Sequence, residues 1–156
     1  MHRLLGRSIE WILSYQHEVT FITDNKHQYA IREFHRGEDA GFDLYVSQTT
    51  HIPAGEVADV PTGIYLDPKD RLWFHIFGRS STFKKRGLII NIAVIDHGYR
   101  GELYAITHNF TNKKVVVEEG DRICQIIPHR LIPCKFSQGD LSMSKRGRGG
   151  FGSSGL

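Results

Sequence analysis

The run Arg146-Gly147-Arg148-Gly149-Gly150-Phe151-Gly152-Ser153-Ser154-Gly155 gathers groups that could wrap an anionic ligand with a flat ring attached. Five of these ten positions are glycine, so the segment has no side chains for a core and loses much backbone entropy on ordering. It offers a string of backbone N–H groups, one aromatic ring, two hydroxyls and two guanidiniums. Such a set suits a nucleotide, although a Gly-rich tail that binds nothing has the same composition. The glycines at 147, 149 and 152 also spell G-x-G-x-x-G. A dinucleotide-binding turn is not expected there, because only four residues follow Gly152 and no strand–helix unit fits in them.

Four further segments precede the tail. In order they are Ala40-Gly41-Phe42-Asp43-Leu44, Gly78-Arg79-Ser80-Ser81, Val94-Ile95-Asp96-His97-Gly98-Tyr99-Arg100-Gly101 and Gly120-Asp121-Arg122-Ile123-Cys124-Gln125-Ile126. With the tail they resemble the five ordered motifs of the trimeric deoxyuridine triphosphate nucleotidohydrolases, the dUTPases. Each motif alone is short, and their order and spacing over residues 40 to 155 carry the resemblance.

Hydrolysis of a phosphoanhydride at neutral pH needs a base that takes a proton from water as it attacks phosphorus. The resemblance implies that Asp96 is this base; by itself, an Asp before His-Gly is a turn residue. It implies that Tyr99 lies flat beneath a deoxyribose and excludes a 2′-hydroxyl by sterics. Ala93 to Tyr99 is similar to the family's uracil-reading hairpin, in which backbone N–H and C=O groups of residues such as Val94 and Ile95 pair with the base. A fixed donor facing uracil O4 would reject cytosine, whose amino group leaves that donor unpaired. Asn91 is a further pocket candidate.

Phosphate contacts fall by the same resemblance to Arg79, Ser80, Ser81 and Gln125. Arg79 either contacts phosphate or braces Asp43, and Asp43 orients Arg79 or an Mg²⁺-bound water. In the tail, Arg146 is implied to reach the γ-phosphate, Phe151 to cover the uracil, and Gly152, Ser153 and Ser154 to close over the phosphates. Mg²⁺ is expected to arrive with the triphosphate rather than in a protein cage. The family implies a homotrimer with shared sites and the reaction of dUTP with water to dUMP and pyrophosphate. Two alternatives use the same fold. One is deoxycytidine triphosphate deaminase, alone or combined with dUTPase activity. Gly78-Arg79-Ser80-Ser81 is closer to the deaminase motif, but Ile106 stands where those enzymes carry a catalytic glutamate. The other is a regulatory member that binds a protein partner.

These residues must be positioned by a chain of 156 residues, which suits one domain. Its 40% hydrophobic and 24% charged content is ordinary for a globular protein, and no apolar run approaches a membrane span. The formal charge of +3 gathers at Lys84-Lys85-Arg86 and Lys145-Arg146-Arg148 without an interleaved aromatic platform, so nucleic-acid binding is not expected. Nine histidines and two cysteines show no metal-ligand spacing. Cys124 and Cys134 are expected as thiols, and with no export signal at the start the expected location is cytoplasmic.

Alternating stretches at Arg71–Phe77 and Leu103–Phe110 and β-branched stretches at Glu18–Thr23, His51–Val60, Leu88–Ile95, Val115–Glu118 and Ile123–Ile127, punctuated by turn signals, predict an all-β, jelly-roll-like barrel without intervening helices. Leu5, Ile9, Ile12 and Leu13 after Ser8 predict a short helix packed on the barrel or a neighbour. The expected organisation is an N-terminal extension over 1–17, a β domain over 18–141 and a flexible arm over 142–156 that closes the site.

Overall fold

A computed structural model describes residues 17–26, 30–32, 38–145 and 147. Among them are twelve strands: β1 (Val19–Thr23), β2 (Ile31–Arg32), β3 (Phe42–Leu44), β4 (Thr50–Ile52), β5 (Val57–Pro61), β6 (Ile64–Pro68), β7 (Leu72–Gly78), β8 (Leu88–Ile90), β9 (Ala93–Ile95), β10 (Tyr104–Asn109), β11 (Val115–Val117) and β12 (Cys124–Arg130). One helix, α1 (Ser80–Arg86), lies between β7 and β8. The largest sheet runs β2-β3-β12-β7-β9, a second runs β5-β10-β8, and β1-β6 and β11-β4 form two-stranded ladders. Every pairing is antiparallel.

Alternation decides which face points inward. In β7, Leu72, Phe74 and Ile76 are buried, while Trp73, His75 and Phe77 are half-buried on the opposite face. Leu44, Ile52, Val60, Ile64, Leu103, Val117 and Ile123 are fully enclosed, so all the sheets share one core. The architecture is the all-β, jelly-roll-like barrel expected from the sequence.

The helix is a correction, since the sequence pattern predicts none between strands. Its seven residues, Ser-Ser-Thr-Phe-Lys-Lys-Arg, carry weak intrinsic preference at the start. Tertiary bonds hold that start: Thr82 Oγ1 donates to Ile123 O at 2.7 Å and Arg79 N to the same carbonyl at 3.1 Å. Lys84, Lys85 and Arg86 favour the negative end of the helix dipole, and Gly87, at φ 65°, ends it with a bond from its N–H to Phe83 O. Elsewhere Leu88–Ile95 divides at Asn91-Ile92, and β12 continues three residues past Ile127.

Cys124 is buried and Cys134 exposed, both as free thiols. The residues from 131 to 145 are exposed and carry no regular structure. The helix expected around Ser8 to Leu13 lies outside the described residues, as do Arg146, Phe151, Gly152, Ser153 and Ser154. Among the described residues, no helix is long and apolar enough to cross a membrane.

Candidate functional site

The corner from β7 into α1 is fixed before any ligand is considered. Gly78 approaches Ile90 so closely that an added Cβ would lie 3.2 Å from Ile90 Cγ1. Arg79 then takes extended geometry (φ −74°, ψ 150°) as the helix N-cap, and Ser80 emerges exposed.

Beside this corner, the register aligns Asp43 of β3, Gln125 of β12 and Phe77 of β7 in one row. Asp43 is buried, and both its oxygens face guanidiniums: Arg79 Nε lies 2.9 Å from Oδ1 and Arg122 Nη1 3.3 Å from Oδ2. Arg79 Nη1 also donates to Arg122 O at 3.1 Å, which holds both cations to one frame. Burial pushes the Asp43 carboxyl above its ordinary value, and the two arginines pull it back only in part. Two guanidiniums thus stand against Asp43 and the nearby carboxylate of Asp39. These four charged residues line a cavity of about 570 Å³ with Ser80, Gln125 and Gly41. Gly41 is the space into which Gln125 packs, since a Cβ there would collide with Gln125 Oε1. Ser81 instead lines a neighbouring cavity of about 310 Å³ with Arg79, Lys85 and Arg86. Arg86 there is taken up by Asp121 at 2.6 Å.

The second group of candidates follows β9, an edge strand. Val94 pairs with His75 and Ile95 with Phe74, so the side of β9 away from β7 presents backbone groups that no strand among the described residues uses. The chain then turns over Asp96-His97-Gly98-Tyr99, closed by Tyr99 N donating to Asp96 O at 3.0 Å. Asp96 and Asn91 are exposed, and Tyr99 is 43% exposed. His97 Nδ1 lies 3.2 Å from Leu72 O, which places the turn at the Leu72 end of β7. Arg79 follows the other end. Six strand steps separate Leu72 from Gly78, roughly 20 Å. One chain therefore carries two separate groups of candidate residues, a corner with two arginines and an exposed hairpin, that do not meet.

The dUTPase family model matches residues 28–155. The chain belongs to the dUTPase family. It is 38% identical over 120 residues to the deoxyuridine 5′-triphosphate nucleotidohydrolase of Solibacter usitatus, a match covering 76% of this chain and 82% of that protein. It is also 34% identical over 121 residues to the Pol polyprotein of an ovine maedi visna related virus, covering 77% of this chain but only 11% of that much longer protein. Among solved structures, the dUTPase of Streptococcus mutans superposes with a TM-score of 0.67 at 28% identity, covering 76% of this chain and 98% of that one. The dUTPase of Staphylococcus bacteriophage 80alpha gives 0.80 at 23% identity, covering 89% and 99%, which speaks for the fold.

Within this dUTPase chain, sequence reasoning missed Arg122 and Gly41 as site residues. Arg122 carried no signal of its own in the sequence, since its pairing with Asp43 depends on β3 lying beside β12. Arg122 lies three residues before Gln125, just ahead of β12, the strand that brings Gln125 beside Asp43. Arg79 braces Asp43 through Nε, one of the two roles left open by the sequence. Among the described residues, no group of three or more His, Cys, Asp or Glu is arranged to hold a metal ion.

Proposed function

We propose that the protein hydrolyses dUTP to dUMP and pyrophosphate, at sites completed by three copies of the chain. The observation that carries this reading is the buried Asp43 clamped between Arg79 and Arg122 beside Ser80 and Gln125. This is a preorganised cradle that offers guanidinium, hydroxyl and amide donors to a polyphosphate, in a chain of this family. Water attacks the α-phosphorus while Asp96 takes its proton. The bond from that phosphorus to the bridging oxygen breaks, and pyrophosphate leaves with the electron pair. The unpaired edge of β9 reads the uracil through the backbone of Val94 and Ile95, with Asn91 beside them, and Tyr99 reads the sugar. Arg146, Phe151, Gly152, Ser153 and Ser154 close over the bound nucleotide as part of an arm from 142 to 156, with 18–141 the β domain and 1–17 an extension.

Both oxygens of Asp43 already face guanidiniums, so Mg²⁺ would enter with the triphosphate rather than be held by this carboxylate. When bound it supplies charge neutralisation on the triphosphate. Asp43 orients Arg79 and Arg122 toward that ligand.

Trimer formation is supported by the separation of the two groups of candidate residues along β7 and by apolar surface. Val57, His108 and Ile89 form one outward row across β5-β10-β8, with Val57 59% and Ile89 38% exposed. Phe110 beyond them is 62% exposed, and Phe136, Leu141 and Met143 after β12 are almost wholly so. The unpaired thiols of Cys124 and Cys134 fit a reducing compartment, the cytoplasm.

The test is turnover of dUTP, dCTP, dTTP and UTP, each scored for pyrophosphate and for ammonia. Pyrophosphate from dUTP alone is expected, with Asp96→Asn lowering kcat about 10²- to 10⁴-fold at little change in KM. Ammonia from dCTP, or near-normal turnover by Asp96→Asn, would overturn the assignment.

A further inference from the structure

Glu102 stands where the Asp96–Tyr99 turn rejoins the barrel, and three bonds converge on it. Its Oε1 accepts from Gly63 N at 2.8 Å, and its main-chain carbonyl accepts from the Tyr99 hydroxyl at 3.0 Å. The Tyr104 hydroxyl donates to its carboxylate; that bond and the adjacent negative charge push the phenol up to about 12, so it remains a donor at neutral pH.

The far end of this tether is itself rigid. Gly63 sits in the left-handed region at φ 64°, and its carbonyl accepts from Asp24 N at 3.2 Å. On either side, Leu103 N donates to Ile64 O at 2.8 Å, and buried Thr62 donates through Oγ1 to Leu103 O at 2.7 Å. Tyr99 meanwhile folds back over Gly101: a Cβ at that position would run into the Tyr99 hydroxyl and ring. The ring thus occupies a gap left by one residue and is latched by the next.

We propose that Glu102 is a positioning residue for Tyr99, fixing that ring to the turn between β5 and β6 so that it can exclude a 2′-hydroxyl, with Gly101 providing the gap the ring fills. The inference rests on the assignment of Tyr99 to the sugar. Exclusion by sterics works only if the excluding surface cannot retreat, since a ring free to swing would admit the extra oxygen. Selectivity between deoxyribose and ribose, more than the chemical step, is then what Glu102 controls. Neither the hydroxyl of Tyr99 nor the carboxylate of Glu102 needs to touch the nucleotide for this.

The experiment compares kcat/KM for dUTP and UTP in the wild-type protein and in Tyr99→Ala, Glu102→Ala, Glu102→Gln and Gly101→Ala, with trimer content and melting temperature measured on each. Tyr99→Ala should lower the dUTP-to-UTP ratio, which establishes that Tyr99 reads the sugar. Glu102→Ala should lower the same ratio about tenfold, mainly through KM, and Glu102→Gln, which keeps an acceptor for Gly63 N–H, should restore it. Gly101→Ala displaces the ring without touching the Gly63 bond and should lower the ratio too, which keeps the test decisive if Glu102→Ala does not fold. A ratio unchanged in Gly101→Ala and in every folded Glu102 variant, while Tyr99→Ala changes it, would overturn the positioning role alone. A ratio unchanged in Tyr99→Ala would overturn the sugar assignment and the inference with it.

Discussion

Mixing two defective subunits tests whether each site draws on more than one chain. Asp96→Asn removes the proposed base and leaves the Arg79–Asp43–Arg122 cradle intact; Arg79→Ala damages that cradle and leaves Asp96. The pairing of Ile95 with Phe74 and the contact of His97 with Leu72 O put Asp96 at one end of β7, while Arg79 extends from Gly78 at the other. A base acting through one water must lie within about 6 Å of the phosphorus, because two contacts of roughly 3 Å separate them. The span along β7 is roughly 20 Å, too long for both residues of one chain to reach one α-phosphate. If Asp96 and Arg79 of each site come from different chains, random assortment of equal amounts gives both intact at about one site in four. The two variants, each nearly inactive, should then recover about a quarter of wild-type turnover after unfolding and refolding together, a fraction set by assortment alone. Distinct affinity tags and native mass spectrometry would establish that mixed trimers are present. No recovery in such trimers would show that both residues serve a site from the same chain, and the reasoning from β7 would fail.

Two further outcomes follow from individual side chains. Burial raises the Asp43 carboxyl above its ordinary value of 3.8, so the folded chain binds this proton more tightly than the unfolded one. Its contribution to stability is therefore full below that ordinary value and lost as pH rises through the raised one. The melting temperature of the wild-type protein relative to Asp43→Asn should fall with rising pH in the acid range and then level off; a rise would contradict the assignment of burial as the dominant effect. The Cys124 thiol, enclosed and pushed up to about 12, should resist alkylation in the native protein while exposed Cys134 reacts. Mass spectrometry should show one label per chain when folded and two when unfolded, and two in the folded state would refute the enclosure of Cys124.

How much of this was legible in the sequence depends on the range over which each interaction acts. The alternation of Leu72, Phe74 and Ile76 with Trp73, His75 and Phe77 is local, and it marked β7 and its buried face without any knowledge of partners. The two residues of β2 and three of β3 have no such pattern, because strands this short are defined by the ladder they join. The helix α1 was hidden for a related reason: its first turn is held by Ile123 O, more than forty residues away in sequence. The site divides along the same line. The motifs announced Asp43, Arg79, Asp96 and Gln125 as types, yet the pairing of Asp43 with Arg122 exists only because β3 and β12 are neighbours. A buried carboxylate must find its countercharges in space, and the strand order decides which arginines can reach it. The separation of the two groups of candidate residues belongs to this second level: spacing in sequence puts Arg79 and Asp96 only seventeen residues apart, while the antiparallel return through β9 sets them at opposite ends of one strand. Proximity in the chain thus argues against, not for, their joint action within one subunit.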